Sequence, residues 1–223
     1  SEWIHPGTDY YLVASLAVRD GLAAKGVDSS RIVVTGIPVG EQFAPARQEG
    51  RRDRELLVMG GGLGLMPRKD SFYRALNDLP GVHTTILTGR NEKLYHRLKD
   101  AYPNIEAVPF TNRVNEYMGR ADLMLSKPGG ITIFEAIASR LPLLAWEPFL
   151  EQERENARFL VRAGMARVVS KEEGACLRAI RETIYHDVLL AEMRQAMEDA
   201  ARTMCRAAVC AVVRELAGEG VCA

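Results

Sequence analysis

The sequence lacks the marks of a metal, redox or disulfide protein. Its four cysteines (Cys176, Cys205, Cys210, Cys222) form no C-x-x-C pair. Cys205 and Cys210 lie five apart, a spacing that does not stack on one helix face. Free thiols in a reducing cytosol are the expected state. The four histidines (His5, His83, His96, His186) are scattered and show no metal-ligand spacing. No apolar run approaches the roughly 18 to 20 residues that span a bilayer. No charged segment followed by an apolar stretch marks a signal peptide near Ser1. Charge of one sign is also missing: 29 Lys and Arg balance 29 Asp and Glu. Nucleic-acid binding through phosphate neutralisation would need a basic excess, so no nucleic-acid partner is expected. There is no G-x-x-x-x-G-K-[ST] run, which excludes a P-loop.

What is present is ordinary globular composition, 47% hydrophobic and 26% charged. A length of 223 residues suits one large domain, or one domain and part of another. The chain opens at Ser1 and enters strand-like sequence by Tyr10, which reads as a piece of a longer protein.

Short apolar strands alternate with helical patterns. Tyr10–Ala14 and Arg31–Thr35 read as strands around a helix, Leu16–Lys25, with Ser15 as N-cap and Gly26 past its end. The broken, arginine-rich stretch Gly40–Asp53 reads as a solvated linker. A second series follows. Strands are expected at Leu56–Met59, Thr84–Leu87, Ile105–Pro109, Leu123–Leu125, Leu143–Ala145 and Arg167–Val169. Between them helices are expected at Arg68–Leu79, Glu92–Ala101, Val114–Met118, Ile131–Ser139 and Glu153–Ala163. From Glu172 the chain reads as helical, with an apolar stripe at Leu189, Met193, Met197, Met204, Ala208, Val212 and Leu216. This alternation argues for βαβ units and an α/β fold with a parallel, Rossmann-like sheet flanked by helices.

Ligands of such sheets bind beyond the carboxyl ends of the strands, so the strand-to-helix loops hold the candidates. The first loop, Gly60 to Gly64, contains G-x-G (Gly62, Gly64), but Pro67 stands where a dinucleotide fingerprint has its third glycine. The next strand ends in Thr88-Gly89-Arg90, without an acid for an adenosine ribose, which speaks against NAD. The loop reads either as a bare backbone open to a ligand or as a tight turn. The second loop is Ser126-Lys127-Pro128-Gly129-Gly130-Ile131-Thr132. Two glycines at a helix start expose N–H groups to a phosphate or diphosphate, and Thr132 adds a hydroxyl. Glu135 is the lone charge in an apolar helix. It reads either as an acceptor for a pair of ribose hydroxyls or as half of a capping box with Thr132. The third loop, Glu147 to Glu153, followed by Asn156, offers amides and carboxylates to sugar hydroxyls, or is an acidic first helical turn. No Asp-x-Asp pair is present to hold a divalent ion, so no metal and no cofactor is expected. A diphosphate would depend on the helix terminus.

Several motifs in order resemble the diacylglycerol sugar transferases of glycosyltransferase family 28. They are His5-Pro6-Gly7-Thr8-Asp9-Tyr10-Tyr11, Val34-Thr35-Gly36-Ile37-Pro38-Val39, Ser126 to Thr132 with Glu135-Ala136, and Pro148 with Gln152-Glu153 and Asn156. The resemblance implies a GT-B architecture, with residues 1–45 as the tail of the amino-terminal acceptor domain and 46–223 as the UDP-sugar-binding domain. It implies an inverting transfer of a hexose from a UDP-sugar to a membrane lipid, diacylglycerol being the expected acceptor. It implies contacts of uracil with the backbone at Phe110 and Thr111, and of the diphosphate with Gly129, Gly130 and Thr132. Glu135 would hold the ribose, Gln152 and Glu153 the sugar, and Gly62 and Gly64 would face the cleft. The family's general base lies in a Gly-His motif upstream of this chain, so no catalytic residue is assigned and the chain alone is expected to transfer nothing. The implied location is cytoplasmic and peripheral on the inner face of the membrane. A UDP-sugar 2-epimerase-like enzyme and a non-catalytic nucleotide-sugar-binding module are the alternatives.

Overall fold

The computed structural model describes residues 4–47, 53–203 and 206–218. The chain packs as two compact units. One consists of Ser1–Val39 with Asp199–Ala223, the other of Gly40–Glu198. The sequence reading groups 199–223 with the second domain; the described residues of 199–218 group with the first unit.

The first unit holds a parallel strand pair, β1 (Tyr11–Val13) and β2 (Ile32–Val34), joined through helix α1 (Leu16–Ala23). Ser15 caps α1 as expected, its Oγ accepting from the Val18 amide, and Gly26 follows at φ +87°. In the same unit Tyr10 donates its hydroxyl to Glu215 of helix α9 (Arg206–Leu216) at 2.7 Å.

The second unit is a six-stranded parallel sheet. Its strands are β3 (Arg54–Met59), β4 (Val82–Gly89), β5 (Ile105–Pro109), β6 (Leu123–Ser126), β7 (Leu143–Trp146) and β8 (Ala166–Val169). The order is β5-β4-β3-β6-β7-β8. Helices α2 (Asp70–Asn77), α3 (Glu92–Leu98), α4 (Val114–Arg120), α5 (Gly130–Ala138), α6 (Glu151–Arg162) and α7 (Glu173–Ile184) alternate with the strands. Strands β6 and β7 are buried along their whole length, and Leu56, Leu57 and Val58 of β3 are buried with them. Short continuous apolar runs of this kind suit a parallel sheet covered on both faces. The chain builds outward from β3 through β4 to β5, then crosses back to place β6 on the other side of β3. The β3/β6 boundary is therefore the topological switch point, where open parallel sheets bind ligands.

The expected single terminal helix is a correction. It breaks after Ile184 and restarts as α8 (Asp187–Thr203), followed by α9. The break has a local cause: the Nδ1 of His186 accepts from the Leu189 amide at 3.1 Å, in the manner of an N-cap. The restart sets the buried face of α8 at Leu190, Met193 and Met197, with Leu189 only half-buried. Val212 is buried in α9 but Leu216 is exposed. Met204 lies outside the described residues, as do positions 48–52 of the expected linker.

Candidate functional site

Register brings three loops together. Met59 of β3 stands level with Ser126 of β6, and Ser126 with Ala145 of β7. The loops that follow these strands therefore emerge side by side at the switch point.

The central loop leads into α5. Gly129 is its N-cap residue, at φ −71° and ψ 146°, with no side-chain cap. Neither glycine is demanded by packing. A Cβ on Gly129 would meet nothing closer than Thr132 Oγ1 at 3.9 Å, and one on Gly130 nothing closer than Gln152 Nε2 at 3.9 Å. The bare backbone leaves free space in front of the helix N-terminus, bounded by two side chains singled out from the sequence. The capping-box reading of Thr132 and Glu135 is overturned, because α5 begins at Gly130 and Thr132 already lies inside its first turn. Glu135 lies half-buried farther along the helix. No hydrogen bond or ion pair reaches its carboxylate among the described residues, and burial alone raises its pKa above the ordinary carboxylate range. Such a group is poised for donors that the described residues do not supply.

The loop after β3 is a tight turn, the second of its two readings. Gly64 donates to Gly61 O at 2.8 Å and Leu65 to Gly60 O at 3.1 Å. Gly62 is exposed, with nothing within 4 Å of a built Cβ. Gly64 differs from its expected cleft-facing position: it is buried at φ +58°, and a Cβ there would stand 1.9 Å from the Thr88 carbonyl oxygen. Its glycine identity has a packing cause.

Lys127 and Arg90, given no role from the sequence, complete the arrangement. Lys127 extends from the end of β6 and pairs with Glu153 of α6 at 3.6 Å. Its Nζ would lie 3.8 Å from a Cβ on Gly61, so the ammonium group lies beside the β3 loop as well as at Glu153. The Glu153 side chain is only 13% exposed, which makes Lys127 its chief charge partner. Gln152 is exposed beside it. Asn156, one turn into α6, donates to Pro128 O at 2.9 Å and fixes the approach to the two glycines. Farther along the edge, Phe110 is exposed at the end of β5 with the Arg90 guanidinium 5.7 Å from its ring centre, and Thr111 accepts from the Arg113 amide. Arg90 also donates its amide to Gly62 O at 3.0 Å, stitching β4 to the β3 loop. The side chains of Lys127 and Arg90 join elements far apart in sequence, which local spacing does not reveal. Gly129, Gly130, Thr132, Gln152 and Glu153 converge at the switch point. Phe110 and Thr111 lie along the same edge, two strands away.

A family model described as the glycosyltransferase family 28 C-terminal domain matches residues 57–210. The chain belongs to glycosyltransferase family 28. A second model, described as monogalactosyldiacylglycerol (MGDG) synthase, matches residues 1–39. Among curated relatives, the processive diacylglycerol beta-glucosyltransferase of Bacillus licheniformis is 31% identical over 206 residues, covering 86% of this chain and 54% of the relative. The chain thus spans about half the length of the curated relatives it matches. Among solved structures, the calicheamicin glycosyltransferase CalG4 superposes with a TM-score of 0.66 at 19% identity, over 87% of this chain and 50% of that one. A Staphylococcus aureus MnaA–UDP structure superposes with a TM-score of 0.61 at 15% identity, over 84% of this chain and 55% of that one. These likenesses give the family 28 chain a GT-B fold. Among its described residues no helix is long and apolar enough to cross a membrane.

Proposed function

We propose that this family 28 chain is the donor-binding part of an inverting glycosyltransferase that moves a hexose from a UDP-sugar to a lipid acceptor. The observation that carries this reading is the half-buried carboxylate of Glu135, without a partner among the described residues and set inside a helix whose glycine-lined N-terminus opens at the switch point. A ribose supplies two adjacent hydroxyl donors that one carboxylate accepts together. The Gly130 amide, the Thr132 hydroxyl and the Lys127 ammonium would hold the diphosphate, with Gly129, whose own amide donates to Lys127 O at 2.8 Å, leaving room for it to approach. Gln152 and Glu153 would face the sugar, and the backbone at Phe110 and Thr111 the uracil. The activity named for the relatives supports diacylglycerol as the acceptor. A lipid acceptor would bring the chain to a membrane surface, and a peripheral position on the inner face is part of the proposal.

In the proposed reaction an acceptor hydroxyl attacks the anomeric carbon and gives its proton to a general base. The anomeric carbon–oxygen bond to UDP breaks, and its electron pair stays on the β-phosphate oxygen. Charge grows on that oxygen in the transition state, and preorganised N–H groups and a cation oppose it at the place where it develops. This chain supplies the leaving-group side, and no general base is assigned to it.

Calorimetric titration of the chain with UDP, NAD and ATP tests the donor assignment. UDP is expected to bind in preference to both. Preference for NAD or ATP would overturn it.

A further inference from the structure

The carboxyl end of α5 is unusually well tied for a nine-residue helix. Its last turn closes with Arg140 donating its amide to Ile137 O and Leu141 to Ala136 O, which places Arg140 at the left-handed position normally taken by glycine. Arg140 holds that position at φ +47°, a conformation an L side chain adopts only at a cost. Its side chain is engaged with Glu198 of α8 at 3.3 Å. A second arginine meets the same helix end. Arg47 donates from Nε to Ala121 O at 2.8 Å, and from Nη2 to Ser139 O at 3.1 Å and to Arg140 O. The segment bearing Arg47 is itself fastened: Ala46 donates to Gly119 O at 2.8 Å. A Cβ on Gly119 would come within 2.9 Å of Ala44 O.

These ties have one feature in common. The unit Gly40–Glu198 joins the rest of the chain at two points, near Gly40 and at Glu198. Arg47 lies seven residues inside the first, and Glu198 is the second. Both connections are therefore anchored to the carboxyl end of α5, about 13 Å of rigid helix away from its glycine-lined mouth. The body between is fixed by the buried side chains of Ile133, Phe134, Ala136 and Ile137.

We propose that Arg47, with the Arg140–Glu198 pair, is a positioning residue for the donor diphosphate: it sets the axial placement of α5 from the end opposite the ligand. The inference rests on the donor reading above. Arg47 touches no part of the proposed ligand. It satisfies carbonyls that α5 and the end of α4 leave open, and it places positive charge at the negative end of the helix dipole. Without it the helix loses its fixed stop, and the first-turn amides from Gly130 onward lose their register with the phosphates. The proposed uracil contacts at Phe110 and Thr111, beyond β5, are not disturbed, whereas the ribose contact of Glu135 moves with α5.

The test compares UDP with uridine, titrated separately into the chain by NMR shift perturbation. In Arg47→Ala the ratio of UDP to uridine affinity is expected to fall about tenfold, the scale of one partly buried charge at a helix end. Uridine affinity is expected to fall less than UDP affinity, because of its proposed contacts only Glu135 rides on α5. Arg47→Lys should recover part of the ratio, which loss of packing alone would not explain. Arg140→Gly removes the ion pair while favouring the left-handed backbone, so it folds, and it should lower the ratio in the same direction. Should Arg47→Ala not fold, Arg140→Gly decides alone. An unchanged ratio in the folded variants overturns the inference. Wild-type chain that shows no preference for UDP over uridine overturns the donor reading instead.

Discussion

Replacing Glu135 by glutamine is expected to weaken UDP binding by at least about tenfold, while the melting temperature rises or holds. The two effects share one cause. A carboxylate that accepts from ribose hydroxyls makes charge-assisted hydrogen bonds, worth roughly 1.5 to 3 kcal/mol, or about a tenfold to hundredfold change in affinity. Glutamine keeps the shape and loses the charge. In the free protein that charge is a burden: burial alone raises the Glu135 pKa, and no partner among the described residues offsets it. The sign follows from linkage. With the folded pKa above the unfolded one, the folded state holds its proton more tightly. Stability is therefore greatest below the unfolded pKa and declines as pH rises through the folded one, so the penalty is fully present at neutral pH. Glutamine removes it. UDP affinity of the wild-type chain should also fall as pH is lowered through the raised carboxylate range, and that dependence should vanish in Glu135→Gln. Thermal unfolding and calorimetry at several pH values check both arms. A purely structural Glu135 would lose stability on substitution and leave UDP binding intact.

Gly130→Val is expected to abolish measurable UDP binding in a protein that still folds. Gly130 opens α5, and a Cβ there meets nothing nearer than the exposed Gln152 at 3.9 Å, so the fold has room for a side chain. Glycine to a larger residue at a compatible backbone position also reduces unfolded-state entropy. The space that valine fills is the approach to the helix N–H groups, where the diphosphate would sit. Gly64→Ala is the contrasting control. Its φ of +58° and the Thr88 carbonyl at 1.9 Å from the added Cβ are expected to cost stability, on the order of 1 to 3 kcal/mol for the backbone conformation alone. Far-ultraviolet dichroism with thermal melts, beside UDP titration, separates the two outcomes.

The alternating elements were legible in the sequence because apolar runs and turn residues are local signals. Ile105–Pro109 is found as expected, and Ser15 caps its helix. Strand β3 extends two residues earlier than its apolar run, through Arg54 and Glu55. Those polar residues lie outside the apolar signal, and Arg54 pairs with Asp187 and Glu55 with His83, contacts made only on folding. The terminal helix was read as continuous because a histidine N-cap lies outside the usual Ser, Thr, Asp and Asn set. At the site, the glycine pair and Glu135 could be found from residue type and position. The capping box could not be dismissed, since S/T-x-x-E fits the sequence wherever the helix begins. The different duties of Gly62 and Gly64 were equally hidden, because the Thr88 carbonyl that crowds Gly64 belongs to the next strand. Lys127 reads as an ordinary loop cation until β3, β6 and β7 are set side by side.

A crystal structure of the chain with UDP is the most direct measurement. The expected result has a Glu135 carboxylate oxygen within about 3.2 Å of a ribose hydroxyl and the diphosphate at Gly129 and Gly130, over the Gly130 amide. UDP bound elsewhere, or seated there with the carboxylate turned away from the ribose, would contradict it.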